Sequence, residues 1–391
     1  MAMWKCSYSG TIILEEEADI TVLDPPDLKI DVEPRYKDGK IKEGEDFFAS
    51  CNVISSNPRT DNVAWTSLLD NFQVDPNNPL EILSITRDKA GEYMCSAENI
   101  YYDGSTGNTE EIIIIDVQYI PVVVLDESKT VKEGDAVSMI CSTFITEANP
   151  AASEFQWIRN SAVEQTTEEL TLDSVARSDA GLYSCWAFNY FYDGSLGKGE
   201  STTELVVQYA PVVTVPSVVA RRVGETLTIE CEVDSLPAPE SVQWVAPGAD
   251  QPLSQTSTVE LVDIGKGEGG IYTCNSQNTF YDGVQGTGSA TTIVQIEYGP
   301  EVSLESPLLP VTEGTKVTIN CTVDSQPPPF KYEWTQIMKD GTVNELGENM
   351  EYLSFASVDR SKGGNYTCKA TTKFYDNMDE EASASAKLVI H

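Results

Sequence analysis

Four times in 391 residues the same string recurs: a cysteine, a tryptophan 13 to 16 residues later, then a tyrosine, one further residue and a second cysteine. The cysteines are Cys51 and Cys95, Cys141 and Cys185, Cys231 and Cys274, and Cys321 and Cys368, separated by 44, 44, 43 and 47 residues. The tryptophans are Trp65, Trp157, Trp244 and Trp334, and the tyrosines Tyr93, Tyr183, Tyr272 and Tyr366. A glycine stands seven residues before each first cysteine, at Gly44, Gly134, Gly224 and Gly314. Three repeats close on an aromatic linker: Val117-Gln118-Tyr119-Ile120-Pro121, Val207-Gln208-Tyr209-Ala210-Pro211 and Ile296-Glu297-Tyr298-Gly299-Pro300, with the tyrosines 90 and 89 residues apart. Self-similarity at a domain-sized period describes an array of domains, not a solenoid of short stacked units.

Each repeat reads as all-β. Apolar and polar residues alternate in Val317-Thr318-Ile319-Asn320-Cys321-Thr322-Val323 and in Leu227-Thr228-Ile229-Glu230-Cys231-Glu232-Val233, the period of a strand with one buried face. Turn residues separate such runs, and no segment sustains a helical period. Paired cysteines also suggest zinc, but zinc sites space their cysteines two to four residues apart, and these pairs are far wider.

The Cys…Trp…Tyr-x-Cys pattern resembles the immunoglobulin β-sandwich. The segments Arg87-Asp88-Lys89-Ala90-Gly91-Glu92-Tyr93-Met94-Cys95 and Arg177-Ser178-Asp179-Ala180-Gly181-Leu182-Tyr183-Ser184-Cys185 are similar to the E–F corner of I-set or C2-set domains. The Tyr-x-Pro linkers resemble those of nephrin- and Kirre-like adhesion molecules and of Siglec-like receptors. The resemblance spans residues 25–391 and implies an all-β chain of tandem sandwiches in an elongated array. It implies four disulfides, Cys51–Cys95, Cys141–Cys185, Cys231–Cys274 and Cys321–Cys368, with each tryptophan beside the sulfurs and each tyrosine hydrogen-bonded across a corner. Each staple then stabilises its domain by roughly 4 kcal/mol in the chain-entropy model, and four of them require an oxidising compartment. Glu268 and Lys362 stand where the corner aspartate is usual, so an Asp–Arg bridge is not expected in the third and fourth domains. The implied role is adhesion or recognition at the cell surface, or in secreted form, through other proteins: a second copy of the chain or a cell-surface receptor. The alternative is a structural spacer or polymerising matrix protein.

The expected domains are 25–119, 120–209, 210–298 and 299–391. Residues 1–24 read as the last two strands of a preceding domain. Trp4-Lys5-Cys6 matches Tyr93-Met94-Cys95, residues 18–24 form the final strand, and Pro25-Pro26 is the linker. Two strands bury no core alone, so either this unit comes from a longer array or its strands complete a sandwich in a neighbouring molecule.

Charge and composition narrow the function. A formal net charge of −37 repels nucleic acid and anionic membranes, while leaving cationic partners and calcium open. His391 is the only histidine, so His-based triads, His general bases and His-ligated zinc are excluded. No nucleophile elbow, metal cluster or phosphate loop supports an enzyme. No apolar stretch of membrane-spanning length occurs. The opening residues lack the apolar region of a signal peptide, so the expectation is a mature, trimmed or expressed fragment.

One feature exceeds a generic sandwich. Eight residues after each second cysteine stands an aspartate, at Asp103, Asp193, Asp282 and Asp376. Aromatic pairs precede them: Tyr101-Tyr102, Phe191-Tyr192, Phe280-Tyr281 and Phe374-Tyr375. Gly104, Gly194 and Gly283 follow the first three, and Gly107, Gly197 and Gly286 come three residues later; the fourth repeat has Asn377 instead. Asp-Gly favours a tight reversal. In an immunoglobulin domain this hairpin points toward the preceding domain, and three readings stay open. The favoured one packs the aromatics on the Tyr-x-Pro junction and stiffens the array. The second makes the loop an exposed recognition tip. The third holds Ca²⁺ at Asp103, Asp193 and Asp282, although one aspartate per loop falls short of the six to eight oxygens calcium takes; no other cofactor is expected. Finally, Asn320-Cys321-Thr322 and Asn365-Tyr366-Thr367 are N-glycosylation acceptors. Asn320 is expected to face outward because Cys321 faces in.

Overall fold

A computed structural model describes residues 2–6, 16–33, 36–69, 72–75, 78–143, 148–305 and 310–391. These residues cluster into two compact units, Met1–Val206 and Val207–His391. Among the described residues the regular structure is strand, with short 3-10 turns such as Arg87–Lys89 and Arg177–Asp179, and no helix is long and apolar enough to cross a membrane.

In the first unit, strands Ala2–Cys6 and Glu16–Ile20 pair antiparallel. The side chain of Cys6 lies outside the described residues. The second strand ends at Ile20, and Asp24 already opens the next strand, Asp24–Val32. Pro25 and Pro26 therefore sit inside a strand. Its register slips between Asp24 and Asp27, which is where a sheet tolerates residues that donate no hydrogen bond. Asp24–Val32, Phe47–Asn57 and Leu80–Ile82 form one sheet of the first sandwich, and Lys40–Lys42, Thr106–Gln118, Gly91–Ile100, Val63–Ser67 and Phe72–Asp75 the other. In the second sandwich, Val137–Ile140 pairs with Glu169–Leu172, facing a sheet built on Glu154–Arg159, Gly181–Tyr190 and the strand that starts at Leu196.

The second unit repeats the plan. Leu227–Glu230 pairs with Thr258–Leu261, opposite Pro252–Ser254, Ser241–Val245, Gly270–Thr279 and Gln285–Glu305. That last strand runs for 21 residues. It is the final strand of the third sandwich and, through Glu301–Glu305, pairs with Val317–Gln326 of the fourth. Lys331–Ile337, Gly364–Lys373, Asp379–Leu388 and Val343–Glu348 form the opposite sheet of the fourth.

The repeated residues account for the cores. Alternation places Phe47, Ala49 and Cys51 inward on one strand and Tyr93, Cys95 and Ala97 inward on the facing one. Disulfides join Cys51 to Cys95, Cys141 to Cys185, Cys231 to Cys274 and Cys321 to Cys368. Each tryptophan is the direct cross-strand partner of the second cysteine: Trp65 with Cys95, Trp157 with Cys185, Trp244 with Cys274, and Trp334 with Cys368. All four tryptophans are buried. Three indole N–H groups donate to carbonyls, of Glu168, Ser257 and Met350.

Each corner tyrosine donates its hydroxyl proton to the carbonyl four residues back: Tyr93 to Lys89, Tyr183 to Asp179, Tyr272 to Glu268 and Tyr366 to Lys362. Among the described residues the corner aspartate is bridged to an arginine once, Asp179 to Arg159 at 3.3 Å. Glu268 instead caps its own turn, accepting from the Gly265 amide at 2.7 Å. Gly44, Gly134, Gly224 and Gly314 all adopt φ between +86° and +89°, a conformation that residues with a Cβ rarely take.

Candidate functional site: the hairpins and the linkers they meet

The aspartate of each hairpin first closes its own loop. Its Oδ1 accepts from the amide two residues on: Ser105 for Asp103, Ser195 for Asp193, Val284 for Asp282 and Met378 for Asp376, at 2.9 to 3.0 Å. Ser105 and Ser195 add their hydroxyls. The residue after the aspartate takes a left-handed turn: Gly104, Gly194 and Gly283 near +80°, and Asn377 at +65°. Asparagine tolerates that conformation better than other residues with a Cβ, so the fourth loop keeps its shape without glycine.

The closed loop then offers a backbone N–H to the end of the preceding sandwich. The amide of Tyr192 donates to Gln118 Oε1 at 2.8 Å, that of Tyr281 to Gln208 Oε1 at 2.7 Å, and that of Tyr375 to Glu297 Oε2 at 2.8 Å. All three acceptors stand one residue before a linker tyrosine. Gln118 and Glu297 are 3% and 5% exposed, so their two bonds are shielded from water, while the Gln208 bond is exposed.

Charge completes the grip. Lys42 Nζ lies 2.5 Å from Asp193 Oδ2 and 5.3 Å from the centroid of the Phe191 ring. The ammonium, with help from Ser195, holds the Asp193 carboxyl well below the usual carboxylate range. In the second unit Arg222 Nη2 donates to both oxygens of Asp376 at 2.7 Å, and its guanidinium lies 4.1 Å from the Phe374 centroid. The Asp376 carboxyl is lowered by the Met378 amide and then by Arg222, and Arg222 is raised chiefly by Asp376. The hydroxyl of Tyr375 donates to Glu225 at 3.2 Å. Lys42 and Arg222 both stand two residues before the repeated glycine.

Two of the linker tyrosines lie under a cation. The Arg87 guanidinium lies 4.0 Å from the Tyr119 ring centroid and grips Glu43 through two nitrogens. Lys266 lies 3.9 Å over the Tyr298 ring and pairs with Glu301 and Asp324, while the Tyr298 hydroxyl donates to Asp324 at 2.9 Å.

A further set of residues gave no sign of its role in the sequence. Asn99, Asn189 and Asn278 stand four residues after the second cysteines and are buried. Each donates twice: Asn99 to the carbonyls of Asp24 and Pro58, Asn189 to those of Tyr119 and Pro150, and Asn278 to those of Tyr209 and Pro237. One amide thus ties linker, loop and strand together. Its Oδ1 faces the second glycine of the hairpin. A Cβ on Gly197 would lie 2.2 Å from Asn189 Oδ1, and one on Gly286 would lie 2.5 Å from Asn278 Oδ1. Those glycines are there for space, not for backbone freedom. The one signal that could have found the asparagines is their constant offset from cysteine, with Thr372 taking the place in the fourth repeat.

The structure divides the aromatic pair differently from the expectation. The cation sits over the first ring, Phe191 or Phe374. The second residue contributes mainly its amide, and the rings of Tyr102, Tyr281 and Tyr375 remain 90%, 56% and 43% exposed. The donor set does not fit calcium. Each loop brings one aspartate, its Oδ1 is engaged by the loop, and Asp193 and Asp376 also hold a cation. Among the described residues no group of three or more acidic, cysteine or histidine side chains is arranged to hold a metal.

The outer faces of the sheets differ. On the second sandwich Leu182, Trp186 and Phe188 share one face of Gly181–Tyr190, next to Ile158 and Val163. Leu182 and Val163 are 67% and 53% exposed, and Lys198 Nζ lies 3.6 Å from the Trp186 ring centroid. The equivalent positions on the third and fourth sandwiches are Ile271, Thr273, Asn275 and Gln277, and Asn365, Thr367, Lys369 and Thr371, largely polar.

The family model "Immunoglobulin domain" matches residues 120–189, 210–278 and 300–372, more than half of the chain. The chain is similar to the B-cell receptor CD22 of Mus musculus, 26% identical over 96% of this chain and 43% of that protein. It is similar to neural cell adhesion molecule 1 of Rattus norvegicus, 24% identical over 95% of this chain and 47% of that protein. The chain thus spans less than half the length of these relatives. A solved structure of Dscam1 isoform 1.9, N-terminal four Ig domains, aligns with 93% of this chain and 100% of its own at 18% identity and a TM-score of 0.34. With its repeated disulfide-bonded sandwiches, this chain belongs to the immunoglobulin superfamily as a tandem array of immunoglobulin domains, a family of binding modules and not of enzymes.

Proposed function

We propose that the chain is an extracellular recognition array that binds another protein through the outer face of its second domain, with the hairpins fixing the angle between the first and second domains and between the third and fourth. The observation that carries this reading is the apolar face of Leu182, Val163, Trp186 and Ile158, with Leu182 and Val163 exposed and Phe188 buried beneath, placed where the third and fourth domains are polar. Exposed apolar patches with polar rims mark interaction surfaces. The relatives named above are a receptor and an adhesion molecule, which supports the same class of function at the cell surface.

The rim identifies the kind of partner. Glu154, Glu200 and Glu204 stand cross-strand from the face, and its cation, Lys198, is paired with Glu200, so the rim is net acidic. The complementary occupant is a protein with an apolar centre and a basic rim. A second copy would bring the same acidic rim, and a net charge of −37, to the same place.

The test is a binding screen of the full chain against cell-surface proteins, repeated with Leu182→Asp. Leu182 is exposed, so its replacement leaves the core intact. The reading expects a basic-rimmed partner whose affinity falls at least about tenfold in the variant, a loss of about 1.4 kcal/mol. Equal binding by both forms would refute the face. Concentration-dependent dimers in ultracentrifugation would replace the heterophilic partner with a homophilic one. The clamped hairpins specifically favour a second reading, a spacer, and a monomer that binds nothing on the screen would select it.

A further inference from the structure

We propose that the fourth domain carries N-linked glycans at Asn320 and Asn365, one on the outer face of each sheet, and that together they close both faces to protein partners. Asn320 lies on Val317–Gln326, cross-strand from Glu305 and Tyr352. Asn365 lies on Gly364–Lys373, cross-strand from Ile337 and Lys387. These strands belong to opposite sheets, stapled to each other by Cys321–Cys368. Both asparagines are exposed, and their neighbours Cys321 and Tyr366 face the core.

Their amides are available. Among the described residues neither Asn320 nor Asn365 makes a side-chain hydrogen bond, whereas Asn99, Asn189 and Asn278 each spend their amide on two carbonyls. The third sequon residue, Thr322 or Thr367, projects on the same side of its strand, because side chains two apart share a face. Each asparagine also has an exposed apolar neighbour directly opposite. Tyr352 is 57% exposed across from Asn320, and Ile337 is 41% exposed across from Asn365. Cross-strand side chains stand about 5 Å apart, within reach of the first sugar. A glycan at each site covers an apolar residue that otherwise faces water.

The modification balances simply. Asn Nδ2 attacks the anomeric carbon of an oligosaccharide carried on a lipid diphosphate. The C–N glycosidic bond forms, the C–O bond to the diphosphate breaks, the lipid diphosphate leaves with the electron pair, and Nδ2 gives up one proton. The sites rest on strand geometry and sequon chemistry alone, so they stand or fall apart from the partner reading above.

The test uses the full chain secreted from a eukaryotic cell line. Peptide N-glycosidase in heavy-oxygen water converts each glycosylated asparagine to a mass-labelled aspartate, read by peptide mass spectrometry. Hydroxyl-radical footprinting before and after the enzyme reads how strongly Tyr352 and Ile337 are covered. The proposal expects label at both asparagines in most of the secreted protein and a several-fold rise in oxidation at Tyr352 and Ile337 once the glycans are gone. Unlabelled Asn320 or Asn365 would overturn the sites. Equal oxidation before and after would overturn the shielding. Asn320→Gln and Asn365→Gln should each remove one glycan's mass, and because the wild-type measurement stands alone, a poorly secreted variant leaves the test intact.

Discussion

Arg222 donates from a single nitrogen to both carboxylate oxygens of Asp376, across 154 residues of sequence. Its guanidinium meanwhile lies over Phe374. A planar cation on an aromatic face, pinned by a carboxylate, has little freedom to turn. The first unit achieves the same with Lys42, Asp193 and Phe191, so the arrangement belongs to the repeat and not to one junction.

The buried asparagines anchor the linker ends. Asn189→Ala leaves the Pro150 carbonyl without its donor and leaves the Tyr119 carbonyl only the Asn149 amide at 3.3 Å, and a buried unsatisfied group costs about 1–3 kcal/mol. Thermal and denaturant unfolding should show that loss in the second domain. A change under about 0.5 kcal/mol would mean water replaces the amide at little cost.

Two glycines three residues apart should respond in opposite ways. Gly283 has φ +81°, and a Cβ added there would meet no atom within 4 Å. Gly283→Asn should be nearly neutral, since Asn377 already holds that place in the fourth loop. Gly286→Ala drives a methyl against Asn278 and Phe280, and overpacking of this kind costs about 1–3 kcal/mol. Melting curves of the two variants check the contrast; equal melting points would show that the loop yields.

The Lys42–Asp193 pair predicts a pH window. The Asp193 carboxyl titrates below its usual range because of Lys42, so the pair's contribution is present above the unfolded value of about 3.9 and is lost as pH falls through the folded value. The difference in melting temperature between wild type and Asp193→Asn should therefore be constant from neutral pH to about pH 5 and should close in stronger acid. A difference that stays constant into strong acid would rule out the charge as its source.

The cores were legible in the sequence because cysteine, tryptophan and tyrosine recur at offsets that only paired sheets require. The hairpins were legible as a repeat, but their partners were not. Lys42 and Asp193 are 151 residues apart, and neither carries a local signal of the other. Gln118, Gln208 and Glu297 sat in view beside the linker tyrosines, yet a polar residue on a strand reads by default as a solvated one. The same default hid Asn99, Asn189 and Asn278. Residues 18–24 read as one strand because their apolar run continues to Leu23, while the chain breaks at Ile20 and restarts through two prolines at a register slip.

The central claim is that these contacts fix the angle between the neighbouring domains of each unit. It is tested most directly by the distance distribution between spin labels at Glu260 and Ser383 in the third and fourth domains. A fixed junction predicts a narrow distribution for wild type and for Glu297→Gln, which keeps an acceptor for the Tyr375 amide as Gln118 and Gln208 do for theirs. It predicts a broad one for the double variant Arg222→Met, Glu297→Leu. A wild-type distribution as broad as the double variant's, or a double variant as narrow as wild type, would contradict it.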